Sequence, residues 1–387
     1  MMPDSFKGTM SAAEARIIME AGVREFDRQA QVLSLPVCDG GEGTVDCLTE
    51  ILGGEKIFCR VRGAFGRDVT GFYGRLDSNT AVVEMAAAAG FSLIERSRLS
   101  GGGCKDGGNP SEATTYGVGE IIKKALEDGC RKIILGIGGS CTNDGGAGMA
   151  AALHTKFYDQ YGNEFIPVGK TLNRIARIDI SETEKLLRDV DIEVMCDVEN
   201  PLYGERGAAY VFAPQKGADE YMVRMLDYNL RCFADCIRTS LGMDISSMPK
   251  MGAAGGMGAG AYVFLNAKLR RGIDVILDAV DFEKIAAGSR AVITGEGKFD
   301  SQSLEGKAVM GISMRAKRLG IPVIVIAGRA EIKDEGQLLR LGISGVYETD
   351  KGGFSSWEEV VKNCRKALKS TVLEALSEFS LRQGSDL

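Results

Sequence analysis

The sequence predicts an α/β fold, in which parallel strands alternate with helices that cover both faces of a sheet. Short apolar runs such as 133–137 and 322–327 have the continuous apolar character of strands that are buried on both faces. Each run leads into a glycine-rich or polar loop, and a helical pattern follows, as expected of parallel strands joined by helical crossovers. The chain has 387 residues, a length that commonly corresponds to two domains.

The remaining elements are predicted from local signals. Ser11 and Glu14 have the spacing of a capping box and begin a helix that extends to about residue 27, whereas Gly129 has the position of a C-cap. The further helices are predicted over 44–52, 114–128, 147–153, 181–187, 220–241, up to 319, 335–341 and 356–379, and the further strands at 32–35, 56–62, 66–75, 80–85, 192–195, 291–294 and 344–348.

The composition excludes several classes of function. The net charge is −6, whereas nucleic-acid-binding proteins usually carry a basic excess or a basic stripe. The sequence has no apolar stretch long enough to cross a membrane and no apolar signal segment, so we expect a cytoplasmic protein with a small-molecule partner. The ten cysteines are scattered without a Cys-x-x-Cys pair, which favours free thiols. The single histidine, His154, lies in a polar stretch and is expected at the surface.

The loop after the strand at 133–137 is the strongest candidate for a binding site. Its glycines, Gly139 among them, allow a ligand to approach the backbone closely. The start of the following helix supplies unpaired N–H groups and partial positive charge, which suit an anion. A tight β–α turn with an N-cap would also explain the glycines, but four adjacent polar side chains favour a phosphate or polyol site. These side chains are Ser140, Thr142, Asn143 and Asp144.

Polar residues at the starts of two further helices have two interpretations each. Asp39 and Glu42 lie in a second glycine loop, just before a predicted helix. They either help to hold Mg²⁺, which prefers oxygen ligands, or act as an N-cap and as a carboxylate favoured by the helix dipole. Thr114 and Thr115 precede a later helix, and they either bind an anion or, as we favour, cap the helix.

The loops after residue 195 carry further candidates. Asp197 and Asn200 follow a predicted strand, and a carboxylate at the carboxyl end of a strand is well placed to bind a hydroxyl or act as a general base. Lys216, next to Gln215, is a candidate phosphate ligand, although a lone lysine in a loop is more often only solvated.

Two glycine-rich stretches complete the candidates. Gly255 and Gly256 belong to a stretch that loosely matches a dinucleotide fingerprint, but no strand precedes it, so close approach to a ligand or tight helix packing is the better explanation. The loop predicted after residue 294 places Glu296, Asp300 and Lys307 together, which favours a functional role. No Walker A sequence occurs, so a nucleotide would have to be bound by several glycine loops.

Eight of these segments resemble motifs of the type I glycerate kinase family, in the same order. The resemblance implies ATP-dependent phosphorylation of D-glycerate, to 2-phosphoglycerate in many members. It also implies two α/β domains with the active site in the cleft between them: a flavodoxin-like domain at 1–65 plus 286–387 and an inserted domain at 66–285. The motifs are PDSFKGTMSAAEA at 3–15, PVCDGGEGT at 36–44, ATTYGVGEII at 113–122, GIGGSCTNDGGAGM at 136–149, CDVENPLYG at 196–204, PQKGA at 214–218, GAAGGMGAG at 252–260 and TGEGKFDSQSLEGKA at 294–308.

The sequence departs from the family pattern at two places. Family members usually begin with an apolar strand before the motif that contains Asp4 and Lys7. We expect this strand to be missing here, which would leave the neighbours of a central strand unpaired. Cys141 stands where a small residue such as alanine is common, and it is expected to be functionally neutral and open to oxidation.

The resemblance and the loop chemistry together lead to a hypothesis for the site. Phosphoryl transfer needs positioning and charge stabilisation more than covalent chemistry. We expect Asp197 to be the base that orients the acceptor hydroxyl, Lys7 and Asp144 to assist catalysis, and ATP and Mg²⁺ to be the cofactors, with Asp39 and Glu42 as metal ligands. The residues expected to bind the substrate or the transferring phosphate are Asp4, Ser5, Thr114, Thr115, Gly139, Ser140, Thr142, Asn143, Asn200, Gln215, Lys216, Gly255 and Gly256, and those expected to bind the nucleotide are Gly295, Glu296, Gly297, Asp300 and Lys307.

Two other functions compete with this hypothesis. An isomerase or lyase acting on a phosphorylated sugar acid would use the same phosphate-binding loops without consuming ATP. A non-catalytic protein that senses glycerate or nucleotide would bind its ligand without turnover. The sequence leaves open whether the product is 2- or 3-phosphoglycerate, which loop binds the adenosine, and whether the chain forms a homo-oligomer.

Overall fold

The chain forms two compact units, one of which is assembled from both of its ends. The computed structural model describes residues 1–6, 8–38, 40–93, 108–304, 308–332, 334–352, 354 and 356–384. The first unit consists of Met1–Cys38 and Ile273–Leu387, and the second of Asp39–Gly272. Both units combine helices with strands, which confirms the predicted fold class.

The units divide at other positions than the predicted boundaries at 65/66 and 285/286. The first predicted boundary falls inside an antiparallel pair, in which Glu55–Arg62 is paired with Asp68–Arg75 along its whole length. Because a hydrogen-bonded hairpin belongs to one sheet, both strands lie in the second unit.

The described residues form three β-sheets and helices of very different lengths. The strands are β1 (Met2–Pro3), β2 (Glu55–Arg62), β3 (Asp68–Arg75), β4 (Thr80–Glu84), β5 (Lys132–Gly136), β6 (Lys156–Tyr158), β7 (Glu164–Phe165), β8 (Arg177–Asp179), β9 (Asp191–Met195), β10 (Lys268–Arg270), β11 (Val292–Phe299), β12 (Val323–Ala330) and β13 (Ile343–Glu348). The α-helices are Ala12–Phe26, Thr44–Leu52, Ala86–Ala89, Tyr116–Glu127, Ala147–Ala152, Ser181–Leu187, Ala208–Phe212, Glu220–Leu241, Ala253–Leu265, Gly272–Ala279, Phe282–Ala286, Ser301–Leu304, Ala308–Arg318, Glu335–Arg340 and Trp357–Gly384, with 3₁₀ turns at Gly169–Arg174 and Pro214–Lys216.

The first unit contains a four-stranded parallel sheet in the order β1-β11-β12-β13. The expectation that no strand precedes Asp4 is wrong, because β1 pairs with β11 and the Asp4 N–H donates to the Gly295 carbonyl at 2.8 Å. On the other edge of β1, the Leu35 N–H donates to the Met1 carbonyl at 2.9 Å. The segment predicted as a strand at 32–35 therefore lies beside β1 without forming a regular strand itself.

The second unit contains a mixed six-stranded sheet in the order β10-β9-β5-β4-β3-β2. Strands β10, β9, β5 and β4 are parallel, whereas β3 and β2 run antiparallel to their neighbours. Apolar residues of β4 and β5, including Val83, Ile133 and Leu135, are fully buried in its core. A small antiparallel sheet of β6, β7 and β8 was not predicted, since strands of two or three residues are too short to show a periodic pattern.

The strand β11 is longer than predicted. The sequence indicated a strand that ends at residue 294 and a functional loop from Gly295, but β11 continues to Phe299. Its glycines allow unusually close strand pairing, since a Cβ on Gly295 would lie 2.3 Å from the Ile326 carbonyl oxygen. A glycine-rich stretch that indicates a loop when taken alone therefore serves close packing between β11 and β12.

Three predictions drawn from composition agree with the structure. His154 is exposed, and the nine cysteines among the described residues are all free thiols. Among the helices of the described residues, none combines the length and apolar character needed to cross a membrane.

Candidate active site

The candidate loops of the second unit begin at one edge of its sheet. Strands β4, β5 and β9 are parallel neighbours, so the loops that follow them emerge side by side, where ligands bind in open α/β sheets. The glycine loop that contains Gly40 lies against these strand ends. The Gly138 N–H donates to the Gly40 carbonyl at 2.9 Å, and a Cβ on Gly40 would lie 2.7 Å from the Met195 Cβ. Here glycine permits close contact between two backbones.

Asp144 occupies the helix start that was predicted to bind an external anion. Its carboxylate is 1% exposed and accepts hydrogen bonds from the N–H groups of Gly146 at 3.1 Å and Gly148 at 3.3 Å. It also accepts from Thr115, through the backbone N–H at 2.7 Å and through Oγ1 at 2.9 Å. Burial raises the pKa of Asp144, while these four hydrogen bonds oppose the change. The anion at this helix N-terminus is thus the protein's own side chain.

The predicted roles of Thr114 and Thr115 follow from the same contacts. Thr115 Oγ1 donates to Asp144 and accepts from the Met149 N–H at 2.8 Å, so it joins two helix starts. Thr114 Oγ1 accepts from the Tyr116 N–H at 3.2 Å. A Cβ on Gly148 would lie 2.2 Å from Thr114 Oγ1, which explains why a glycine stands there. Thr114 thus bonds the first N–H of its helix, whereas Thr115 stands at the N-cap position without a side-chain capping bond to that helix.

Glu84 is a second buried carboxylate, and the sequence argument missed it. It ends β4, is 2% exposed, and its Oε2 accepts from the N–H groups of Gly43 and Val45, each at 3.1 Å. Gly43 is the N-cap of helix Thr44–Leu52 and has no side chain with which to cap it. Burial raises the pKa of Glu84. The only available signal was a carboxylate at the end of an otherwise apolar strand.

We expect Glu84→Gln to lower the free energy of unfolding by about 2 kcal/mol, because a charged acceptor at a helix N-terminus is replaced by a neutral one. The matched control is Asp46→Asn, which removes an exposed carboxylate from the same helix and is expected to cost less than about 1 kcal/mol. Denaturant unfolding measures both. Equal losses in the two variants would contradict the role given to Glu84.

Lys216 is buried beside the loop after β5. Its Nζ donates to Ser140 Oγ and to the Thr142 carbonyl, each at 2.7 Å, and the residue is 4% exposed. Burial lowers the pKa of Lys216 to about 8, while Cys141 and Asp144 act in the opposite direction. The structure therefore brings together Lys216 and the polar turn at 140–144, as the predicted grouping of binding residues requires.

Stability should depend on pH through Lys216. The folded-state pKa of about 8 lies below the ordinary lysine value of 10.5, so the unfolded chain binds more protons between these two values, and the free energy of unfolding rises with pH across that interval. Between pH 8 and pH 10.5, we expect the free energy of unfolding of the wild-type protein to rise by up to about 3 kcal/mol relative to that of Lys216→Met. Denaturant unfolding at several pH values tests this, and a pH-independent difference would contradict it.

Two neighbours of Ser140 have buried polar atoms with no hydrogen-bond partner among the described residues. These atoms are Thr142 Oγ1 and both side-chain atoms of Asn143, and each residue is 0% exposed. The segment around Gly255 packs against this turn, since a Cβ on Gly255 would lie 2.1 Å from the Thr142 carbonyl oxygen. Gly255 and Gly256 both have positive φ, so the structure shows them in tight packing, one of the two predicted explanations.

Cys141 lies in the same turn and is 2% exposed. Burial raises the pKa of its thiol to about 12. Since oxidation proceeds through an accessible thiolate, the structure argues against the predicted sensitivity of this cysteine to oxidation.

The loop after β9 holds the predicted base and is contacted by a lysine from a later segment of the chain. Asp197 is exposed, and its Oδ1 accepts from the Gly272 N–H at 2.8 Å. Asn200 Nδ2 donates to the Arg206 carbonyl at 2.7 Å, whereas Gln215 is exposed. Lys250, which the sequence argument missed, contacts the Cys196 carbonyl at 3.1 Å and has a positive φ of 71°, a strained backbone that is common at functional sites.

The described residues among those predicted to bind the nucleotide lie in the first unit. Glu296 is 9% exposed on β11, and Gly297 packs against Gly328 of β12. Lys298 forms ion pairs with Asp300 at 3.1 Å and Glu331 at 2.8 Å. In the same unit, Asp4 Oδ1 accepts from the Ser5 N–H at 2.6 Å.

Three of the predicted site residues, Lys7, Asp39 and Lys307, lie outside the described residues. Gly139 and Glu42 are exposed, so the predicted metal ligand Glu42 faces solvent at the start of its helix. Within the described part of the chain, no group of three or more His, Cys, Asp or Glu side chains is arranged to hold a metal ion.

The fold and the site define an α/β protein of two units, with glycine loops and a buried lysine near the carboxyl ends of the parallel strands of a mixed sheet. The family model described as "Glycerate kinase family" matches residues 1–379. The chain belongs to the glycerate kinase family.

Relatives and a solved structure cover nearly the same length. The chain is 44% identical over 380 residues to a protein named glycerate kinase from Bacillus subtilis (strain 168), covering 98% of this chain and 97% of that one. It is 43% identical over 346 residues to a protein named glycerate 2-kinase from Escherichia coli (strain K12), covering 89% and 88%. A crystal structure described as glycerate kinase 2 from Salmonella typhimurium LT2 has 40% identity and a TM-score of 0.82, covering 100% of this chain and 98% of that chain.

Proposed function

We propose that this chain transfers the γ-phosphoryl group of ATP to D-glycerate and releases 2-phosphoglycerate. The observation that carries the proposal is the family match over residues 1–379. A relative named glycerate 2-kinase, 43% identical, supports the position of the phosphoryl group. The buried Lys216 beside Ser140 and Thr142 supports a small anionic substrate.

The acceptor hydroxyl is activated by Asp197 in this proposal. Asp197 is exposed after the carboxyl end of β9, and its Oδ1 accepts from the Gly272 N–H at 2.8 Å. Lys7 remains the proposed cation that assists Asp197 in catalysis. Asp144 acts as a positioning residue instead of a base, because its carboxylate already accepts four hydrogen bonds inside the protein. This division suits phosphoryl transfer, which depends on positioning and charge stabilisation.

The nucleotide is assigned to the residues Gly295, Glu296, Gly297, Asp300 and Lys307, and Mg²⁺ to carboxylates near the phosphates. Mg²⁺ is generally held by one or two carboxylates together with phosphate oxygens, and it neutralises the charge that develops during transfer. Asp39 and Glu42 are the first candidates, with Glu296 and Asp300 as the alternative pair. Oxygen donors of this kind fit Mg²⁺. The cytoplasmic location and a homo-oligomer stay predictions.

The direct test is ADP release in the presence of D-glycerate, ATP and Mg²⁺, with L-glycerate and no acceptor as controls, followed by ³¹P NMR of the product. D-glycerate-dependent ADP release with a 2-phosphoglycerate signal supports the proposal. Binding of D-glycerate by folded protein without turnover would favour a sensor, and conversion of a phosphorylated sugar acid without ATP would favour an isomerase or lyase.

A further inference from the structure

Lys216 carries a buried positive charge whose hydrogen-bond partners are both neutral. Nζ donates to Ser140 Oγ and to the Thr142 carbonyl, which leaves one N–H bond of the ammonium without a described acceptor. The nearby carboxylate of Asp144 is occupied by Thr115, Gly146 and Gly148. A buried charge without a counter-charge is costly, so a negatively charged ligand that reaches Lys216 recovers part of that cost.

The adjacent turn contains buried polar atoms whose hydrogen bonds are missing, and this is a second and independent observation. Thr142 Oγ1, Asn143 Nδ2 and Asn143 Oδ1 are buried and have no hydrogen-bond partner within the part of the chain that the structure describes. Buried polar groups in native proteins are almost always paired with protein, water or ligand. Hydroxyl and amide groups of this kind recognise the hydroxyls of a small polyol. The polar atoms of the turn at 140–143 are therefore satisfied only when a water molecule or a polar ligand group bonds to them.

The helix N-termini near this turn do not compete with Lys216 for an anionic ligand. Helix Ala147–Ala152 is neutralised by Asp144, and helix Thr44–Leu52 by Glu84. An internal carboxylate removes the electrostatic attraction that a helix N-terminus would otherwise exert on phosphate. Lys250, another lysine near these loops, pairs with Glu199 at 2.7 Å, whereas Lys216 has no carboxylate partner among the described residues. Ser140, which is only partly buried, marks the side from which a ligand approaches.

We propose that Lys216 and Ser140 bind the carboxylate of the acceptor acid and so select hydroxy acids over neutral polyols. The inference rests on the proposed function and names the ligand group at this part of its site. Ser140 Oγ accepts from Lys216, so its own hydroxyl hydrogen is free to point toward the carboxylate, next to the remaining N–H bond of Lys216. One buried ammonium balances the single charge of a carboxylate, whereas nucleotide phosphates carry more charge than it can neutralise.

The test compares two acceptors, D-glycerate and D-glyceramide, which differ only in the carboxylate. Lys216→Met keeps the length of the side chain and removes its charge. We expect kcat/KM for D-glycerate to fall on the order of 10²-fold to 10³-fold, the usual loss when a buried charged partner is removed. The value for D-glyceramide should change less than about threefold, and so should the KM for ATP. Ser140→Ala should lower only the D-glycerate value, by roughly tenfold.

The matched control is Lys156→Met, which removes an exposed lysine of the same unit and should change neither acceptor. Equal losses for the two acceptors, or a selective rise in the KM for ATP, would overturn the proposal and assign Lys216 to the fold or to the phosphates. Calorimetric binding of both acceptors without ATP makes the same comparison independently of turnover. If the wild-type protein phosphorylates neither acceptor, the proposed function fails, and selective binding of D-glycerate that Lys216→Met abolishes would still support the carboxylate site.

Discussion

Replacing Asp197 by asparagine should lower kcat for D-glycerate phosphorylation by roughly 10²-fold to 10⁴-fold, the range associated with loss of a general base. Asparagine keeps the Oδ1 that accepts from the Gly272 N–H at 2.8 Å, so the loop after β9 retains its structural hydrogen bond. The loss should therefore appear in kcat, with little change in thermal stability. Steady-state kinetics with saturating ATP, together with a thermal melt, measures both quantities.

The control for this variant is Asp191→Asn, at the start of β9, the strand that precedes Asp197. Asp191 is an exposed carboxylate that pairs with Lys268 at 2.7 Å, and its removal should leave kcat unchanged within about twofold. Wild-type turnover in Asp197→Asn would exclude Asp197 as the base. Another carboxylate, such as Asp39, would then have to orient the hydroxyl.

Replacing Asp144 by alanine should destabilise the second unit by about 4 kcal/mol or more. The substitution leaves four donors without their acceptor in a fully buried place, namely two from Thr115 and one each from Gly146 and Gly148. Each unpaired buried donor costs about 1–3 kcal/mol. Since domains are stable by only about 5–15 kcal/mol, the variant should lie close to unfolding, which denaturant unfolding and hydrogen exchange at 144–149 would show.

The loss of stability on replacing Asp144 should depend on the position of the acceptor oxygen as well as on its charge. In Asp144→Asn the oxygen can stay at the Oδ2 position, which receives three of the four donors, so the loss should be smaller than for alanine. The control is Asp159→Ala, a partly buried residue that also accepts from two N–H groups, each at 2.9 Å, and its replacement should cost about 1 kcal/mol. Comparable losses at Asp144 and Asp159 would show that Asp144 does not organise the loop.

The elements that sequence predicted best are those whose signals are local. Helices Thr44–Leu52, Ser181–Leu187 and Glu220–Leu241 have the predicted bounds, since apolar periodicity and helix caps are set by neighbouring residues. The continuation of β11 to Phe299 was missed because Gly295 and Gly297 suggest a loop when taken alone. In the sheet they permit close contact with β12.

The sequence indicated which residues belong to the candidate site better than how those residues contact each other. A polar loop after a predicted strand pointed to residues 140–144, and Lys216 was a candidate ligand for which plain solvation was the commoner role. The structure places them together. Glu84 was missed, because a glutamate at the end of an apolar strand has no distinctive pattern. Its partners, Gly43 and Val45, lie 41 and 39 residues earlier in the chain.

The sequence by itself determined the α/β alternation, the chemistry available in each loop and the resemblance to the glycerate kinase family. Only the tertiary structure decided which of those polar groups satisfy each other and which remain for a ligand. Asp144 finds its partner Thr115 at a separation of 29 residues, and Lys216 finds Ser140 at 76. Pairing across such distances and the burial that shifts a pKa depend on how strands and loops meet in space, and local sequence patterns do not encode either of them.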